Sequence, residues 1–334
     1  MRWLALILIP VLFVSACGNK KQKGGLSRNE AAMLRAIETG DGAEVDRLIR
    51  KGVPVNNPIT IETPRGIQHL TPLMLAAKAG HTELVKQLVT QGADIRLKDE
   101  QGWTALFWAL SSKGGDRGVS ILQHLLELGL PIDGLSANGW TPLMVAAASN
   151  NLDAVQFLLS HGANTSYQEP VGGAAPLTAA IRVGNVSAVK LLVDHKADVN
   201  MKLPLGGSPL TLTARGTVPS PADTEIAYYL LQHGANPNAI GDDGSTALTN
   251  ALLESKSELA KVLLQYKADP NLPERVQGRN PLMICVLTRN YDMARLLISL
   301  KADPFAQRAK DKATALTMAQ EQNDPQMFAI LAGR

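Results

Sequence analysis

A short segment centred on a leucine recurs eight times along this chain. The copies place that leucine at positions 73, 106, 143, 177, 210, 248, 282 and 316, so neighbouring copies are 33 to 38 residues apart. In each copy a Thr-Pro-Leu sequence, or a close variant of it, precedes a run of small and apolar residues such as Leu75-Ala76-Ala77. A unit of this length cannot bury its apolar face alone and is stable only when stacked on similar units. The repeat therefore predicts a helical solenoid rather than two globular domains.

The residues at the ends of each repeat predict two helices per unit. In Thr71-Pro72, threonine suits the N-cap and proline the first turn, where the backbone N–H has no helical partner. A second amphipathic segment ends in Gly92-Ala93-Asp94, where glycine favours the left-handed conformation that often follows a helix. Three repeats carry a lysine in place of that glycine. We expect Lys196, Lys267 and Lys301 to be left-handed as well, at some cost in stability.

The period, the Thr-Pro-Leu turn and the Gly-Ala-Asp ending together resemble the ankyrin repeat, over residues 28–334. This resemblance implies an all-α solenoid of about nine helix-turn-helix repeats, joined by hairpin-like loops and curved with a concave binding face. The first repeat, residues 30–56, lacks the Thr-Pro-Leu turn. We expect it to be an N-terminal cap in which Ser27 and Glu30 form a capping box.

The chain departs from the ankyrin pattern in two respects. Family members usually have a histidine after Thr-Pro-Leu that braces the adjacent loop, and here methionine, phenylalanine or threonine occupies that position. Bracing must therefore come from other residues. Insertions also enlarge the chain at residues 57–68, 113–119 and 216–224, and insertions in repeat proteins form loops on one face. Because Pro219 and Pro221 cannot continue a helix, we expect residues 216–221 to project as a rigid loop.

The N-terminus indicates where the protein resides. Arg2 precedes an apolar run from Trp3 to Val14, which is too short to span a bilayer and is typical of a secretion signal. Because the run ends in small residues and Cys17, it resembles the lipobox of bacterial lipoproteins; an ordinary signal peptide is the alternative. The resemblance implies a signal peptide of residues 1–16, lipidation of Cys17 and a tether of residues 17–27. Gly18, where aspartate would retain the protein in the inner membrane, favours an outer-membrane anchor facing the periplasm.

Composition and motifs argue against several classes of function. The formal net charge is only +3, and its basic excess lies in the tether, so nothing suggests nucleic-acid binding. With Cys17 lipidated, Cys285 has no disulfide partner, and its position in a small-residue helix indicates a core residue. The six histidines are dispersed, and no metal, phosphate-loop or nucleophile motif is present. We therefore expect no catalysis, no cofactor and no small-molecule substrate.

Trp103 and Trp140 are the strongest candidates for partner contacts. Each lies between a turn glycine and the start of a helix in adjacent repeats, where they could form an exposed aromatic pair; tryptophan is enriched at interface hot spots. Packing on neighbouring loops is an equally weighted alternative, and Trp108 is expected in the core. Around the pair we expect turn residues and helix ends on the concave face: Asp99, Glu100, Gln101, Asn138, Asp242, Asp243, Arg275, Gln277, Lys310, Asp311, Lys78, Ser111, Ser112, Arg182, Arg215 and Glu254.

The sequence thus predicts a non-catalytic protein-binding platform on a bacterial envelope membrane. Its preferred role is to bind and inhibit a periplasmic or secreted hydrolase, as an immunity or self-protection protein. The alternative is an envelope scaffold or assembly factor that supports a periplasmic enzyme, such as an oxidative-stress catalase. The first role requires loss of the partner's activity on binding, and the second requires that activity to persist.

Overall fold

The computed structural model describes residues 26–63, 66–111, 116–204, 206–215, 220–241 and 244–333. Within these ranges the chain forms eighteen helices in nine consecutive pairs and one two-stranded sheet, which confirms the all-α repeat architecture. Cys17 and the tether up to residue 25 lie outside the described residues. None of the helices in the described ranges is long and apolar enough to cross a membrane.

The chain divides into two compact units at Tyr167 and Gln168. The first unit contains α1 (Arg28–Thr39), α2 (Gly42–Arg50), β1 (Ile59–Thr63), β2 (Gly66–Leu70), α3 (Pro72–Ala79), α4 (Thr82–Thr90), α5 (Ala105–Ser111), α6 (Asp116–Glu127), α7 (Pro142–Ala148) and α8 (Leu152–Ser160). Its first helices α1, α3, α5 and α7 pack in sequence, as do the second helices α2, α4, α6 and α8.

The second unit contains α9 (Pro176–Arg182), α10 (Val186–Asp194), α11 (Pro209–Ala214), α12 (Pro221–Gln232), α13 (Ala247–Leu253), α14 (Ser257–Gln265), α15 (Pro281–Thr288), α16 (Tyr291–Ser299), α17 (Ala315–Glu321) and α18 (Pro325–Leu331). The first helices α9, α11, α13, α15 and α17 again pack in sequence. Leucine and alanine make up most of the core in both units, because thin helical layers leave room only for small and branched side chains.

The local predictions for helix ends are confirmed. Thr71 accepts a hydrogen bond from the backbone N–H of Met74 through its hydroxyl, with Pro72 in the first turn. Lys196, Lys267 and Lys301 have φ angles of 68°, 66° and 65°, so all three are left-handed. The predicted capping box also forms, since the backbone N–H of Ser27 lies 2.8 Å from Glu30 Oε2 and that of Glu30 lies 3.2 Å from Ser27 Oγ.

Threonine and asparagine side chains make hydrogen bonds that hold the loops in the absence of the usual histidines. At the histidine position of four repeats, Thr178, Thr211, Thr249 and Thr317 exchange hydrogen bonds with the backbone at the start of their own helix. Asparagines link consecutive repeats. Asn238, for example, accepts from the backbone N–H of Asp269 at 2.7 Å and donates to the carbonyl of Lys267 at 3.3 Å.

The insertions differ from the expected loops. Residues 57–68 were expected to form a loop, but Ile59–Thr63 and Gly66–Leu70 pair as an antiparallel hairpin in which Ile59 faces Leu70. Buried Ile59 and Leu70 anchor it, because a strand with one buried face is fixed in register. The other two insertions each end inside a second helix, so α6 and α12 have 12 residues. Pro221 begins α12, as the first helical turn permits, and residues 216–219 lie outside the described ranges.

Candidate partner-binding site

Asp99 organises the turn of the third repeat. We call the turn that leads into the first helix of each repeat its finger; in the third repeat it is residues 99–103. Asp99 Oδ1 accepts hydrogen bonds from the backbone N–H groups of Gln101 at 2.9 Å and Trp103 at 2.8 Å. Its Oδ2 accepts from the indole Nε1 of Trp108 at 2.9 Å. One carboxylate therefore fixes both the finger and the first helix beside it.

Three aromatic rings pack together next to Asp99. The ring of Trp103 stacks on Phe107 at 5.8 Å with an interplanar angle of 27°, and meets the edge of Trp108 at 5.1 Å and 62°. Trp108 and Phe107 are each 3% exposed, whereas Trp103 is half-buried. The expected core position of Trp108 is thus observed. We call Trp103, Phe107 and Trp108 the aromatic cluster.

The expected side-by-side tryptophan pair is not formed. Trp140 is half-buried in the next finger, where its backbone N–H donates to Ser136 Oγ at 3.0 Å. Among the described residues no ring contact joins Trp140 to Trp103, because Trp103 turns toward the aromatic residues of its own first helix. Any contact with a partner must therefore be considered separately for the two tryptophans.

Lys78 lies over the ring of Trp108. It lies in the last turn of α3, and its Nζ is 4.8 Å from the centroid of the Trp108 ring. Burial lowers the pKa of Lys78, because a desolvated ammonium is less stable than a hydrated one. Burial raises the pKa of Asp99, although the hydrogen bonds from Trp103, Trp108 and Gln101 oppose that shift. Trp108 is therefore contacted by two opposite charges, a carboxylate at its indole N–H and an ammonium over its ring.

A cleft adjoins the aromatic cluster. It has a volume of about 250 Å³, and its lining includes Phe107, Leu130, Leu135, Arg96 and Lys98. Lys98 Nζ donates to the backbone carbonyl of Leu135 at 3.3 Å, and this hydrogen bond joins the third repeat to the fourth. Phe107 both lines the cleft and stacks on Trp103, so this one side chain connects the cleft to the aromatic cluster.

The remaining described candidates of the first unit lie on fingers or at the end of α5. Glu100, Gln101 and Asn138 are exposed on the fingers, while Ser111 is buried and donates through its hydroxyl to the Trp108 carbonyl at 3.0 Å. Consecutive fingers approach closely at Gly102. It has a φ of +71°, and a Cβ there would lie 2.4 Å from the backbone N of Ala137. Glycine is therefore required at this position.

The other candidates belong to the second unit. Arg182 and Arg215 lie at the ends of α9 and α11, and the pKa of Arg182 is lowered by burial and by the charge of Arg215. Glu254 caps the C-terminal end of α13 and is half-buried. Arg275, Gln277, Lys310 and Asp311 are exposed on fingers. Ser112, Asp242 and Asp243 lie outside the described residues.

Sequence reasoning missed two shielded ion pairs of the second unit. Lys256 Nζ lies 2.8 Å from Asp223 Oδ2 and donates to the Thr213 carbonyl at 3.1 Å. Glu274 Oε1 accepts from Arg279 Nε at 2.9 Å within one finger. The first pair joins residues 33 positions apart, so only the stacking of repeats brings it together. No pattern in the sequence around Lys256 or Asp223 predicts this pair.

Cys285 is a core residue, as the sequence predicts. Cys285 is fully buried in α15, and burial raises the pKa of its thiol to about 12. Within the described ranges, no group of three or more His, Cys, Asp or Glu residues is arranged to hold a metal ion.

Comparison with known protein families gives a match along most of the chain. The family described as ankyrin repeats (3 copies) matches residues 32–132, 113–203 and 210–308. The chain is 28% identical over 253 residues to the phosphocholine transferase AnkX of Legionella pneumophila, covering 73% of this chain and 26% of that protein. It is 33% identical over 188 residues to the putative ankyrin repeat protein FPV031 of fowlpox virus, covering 54% and 44%. The chain thus spans less than half the length of either relative.

Two solved structures are also similar. The crystal structure of the human ASB11 ankyrin repeat domain superposes with a TM-score of 0.58 at 26% identity, covering 71% of this chain and 98% of that one. The ankyrin repeat domain of Bcl-3 gives a TM-score of 0.54 at 26% identity, covering 70% and 97%.

Proposed function

This chain belongs to the ankyrin-repeat family, whose repeats bind proteins, and we propose that its binding surface covers and inhibits a periplasmic or secreted hydrolase. The observation that carries the proposal is the surface around the aromatic cluster. Buried Trp108, half-buried Trp103 and the charged Lys78 are already fixed by hydrogen bonds and packing. A surface fixed in advance loses little conformational entropy on binding, which favours tight inhibition.

The predicted location supplies the class of partner. A lipid anchor at Cys17 would hold the repeats within the periplasm, beside the cell wall and the membrane lipids. Hydrolases that degrade the cell wall or the membrane lipids are a hazard there, whether the cell makes them or receives them from a competitor. A non-catalytic binder that covers their active site would protect the cell without chemistry of its own.

A capture experiment tests the proposal. The chain lacking residues 1–26 is used as bait in envelope extracts beside two variants, Trp103→Ala and the control Gln156→Ala at an exposed position of α8. Circular dichroism melting first verifies that both variants fold. We expect one hydrolase to be captured by the wild type and the control, and to be lost from Trp103→Ala.

The captured enzyme is then assayed with and without equimolar chain. Inhibition by the wild type and its relief in Trp103→Ala are the expected result. An enzyme that is bound but keeps its full activity contradicts inhibition and favours the scaffold alternative. Turnover of a substrate by the purified chain itself would contradict the non-catalytic role.

A further inference from the structure

The ammonium group of Lys78 has no carboxylate partner in the part of the chain that the structure describes. Most of the lysines that form ion pairs here do so at the exposed surface, as Lys86 does with Glu83 at 2.9 Å. Lys78 is instead half-buried and faces the ring of Trp108. A charge withdrawn from water needs a compensating group, and an aromatic face compensates only partly.

Two polar side chains that contact Trp108, the residue beneath Lys78, are committed to other hydrogen bonds. The carboxylate of Asp99 accepts three hydrogen bonds from its own finger and from Trp108. Ser111 directs its hydroxyl to the carbonyl of Trp108. These contacts fix the indole of Trp108 beneath the ammonium group. Lys78 therefore remains as a cation without an acidic partner at this site.

The surroundings extend this positive character. Arg96 and Lys98 line the cleft beside Phe107, and neither has an ion pair to a carboxylate among the described residues. The cleft itself is largely apolar, with Leu130 and Leu135 in its lining. A complementary partner segment would carry an apolar side chain for the cleft and acidic groups for the cations around it.

We propose that Lys78 receives an acidic side chain of the protein partner, next to an apolar side chain that enters the cleft beside Phe107. The inference rests on the proposed function, because it specifies the chemistry of the partner at that same surface. The new ion pair would be shielded by the aromatic cluster, and this makes it stronger than a pair at the exposed surface. Lys78 thus selects acidic over neutral partner segments.

Peptide display tests the proposal without knowledge of the partner. A random library of 12-residue peptides is selected on the immobilised chain lacking residues 1–26, and in parallel on Lys78→Gln. We expect peptides enriched on the wild type to combine Asp or Glu with an apolar residue, and to lose about tenfold in affinity on Lys78→Gln. The control Lys86→Gln, at an exposed position of α4, should keep full affinity for the same peptides. Enrichment that is identical on Lys78→Gln, or absent from the wild type, overturns the proposal.

Thermal unfolding separates a binding role from a structural one. Lys78→Met keeps the length of the side chain and removes the desolvated charge. If the charge serves a partner, the variant melts at a temperature equal to or higher than that of the wild type, because binding residues are often retained at the expense of stability. A decrease of more than about 3 °C would show that Lys78 stabilises the fold and would overturn the proposal. Both tests are independent of whether the natural partner is a hydrolase.

Discussion

The indole Nε1 of Trp108 donates a hydrogen bond of 2.9 Å to Oδ2 of Asp99, and this bond ties the third finger to the helix that follows it. The same carboxylate accepts two backbone N–H groups of the finger. The position of Trp103, and with it the exposed edge of the aromatic cluster, therefore depends on one half-buried carboxylate.

Replacing Asp99 should destabilise the first unit. Asp99→Ala leaves the indole N–H of buried Trp108 without an acceptor, and an unsatisfied buried donor costs about 1–3 kcal/mol. Urea unfolding followed by tryptophan fluorescence should show an earlier transition for this variant. Glu100→Ala, at the exposed neighbouring position, should unfold as the wild type does. Equal midpoints for Asp99→Ala and Glu100→Ala would mean that the bond does not hold the finger.

The left-handed lysines predict sites of stabilisation. Lys196 has a φ of 68°, a conformation that costs an ordinary residue about 1 kcal/mol relative to glycine. Lys196→Gly should therefore raise the free energy of unfolding by about 0.5–1 kcal/mol, measured by urea denaturation. The reverse change, Gly162→Lys at the equivalent turn with a φ of 81°, should lower it by a similar amount. A loss of stability in Lys196→Gly would contradict this reasoning.

The thiol of Cys285 should report on unfolding. Burial raises its pKa from the ordinary value of 9.0 to about 12, and the thiolate is the reactive form. In the chain lacking residues 1–26, Cys285 is the sole cysteine, and we expect no reaction with Ellman's reagent at pH 8 until urea unfolds the protein. Between pH 9 and 12 only the unfolded chain loses this proton, so stability should fall as the pH rises. Rapid labelling of the folded chain would contradict the buried position.

Lipidation can be tested directly in cells. If Cys17 is the anchor, the full-length protein should incorporate radioactive palmitate and sediment with membranes. Cys17→Ser should abolish the label and release the protein or leave its signal peptide uncleaved, while Cys285→Ser should be labelled normally. Label that persists in Cys17→Ser would exclude the lipoprotein interpretation.

The sequence predicted those parts of the fold that depend on neighbouring residues. Thr71 at a helix start and Lys196 at a left-handed turn were predictable, because caps and turns are set within a few positions. The hairpin formed by Ile59–Thr63 and Gly66–Leu70 was missed, since two five-residue strands between repeats give little periodic signal.

The site was predicted only in its components. Lys78, Asp99 and Trp103 were all named from the sequence, but Trp103 was expected either to pair with Trp140 or to pack on a neighbouring loop. In the structure Trp103 packs on Trp108, and Lys78 reaches Trp108 from the preceding repeat. The second contact depends on how repeats stack, and the first on a side-chain orientation that the repeat pattern does not specify.

Photo-crosslinking in living cells can show whether a partner binds beside the aromatic cluster. A photoreactive amino acid is introduced at Gln101, which is exposed on the same finger as Trp103. The control position is Gln156, which is exposed on α8. We expect a single crosslinked protein from position 101 and none from position 156. We also expect Lys78→Gln to weaken this product markedly, and the attached protein to be a hydrolase of the envelope. Crosslinks that are absent from position 101, or equally strong from both positions, would contradict a partner-binding surface at the aromatic cluster.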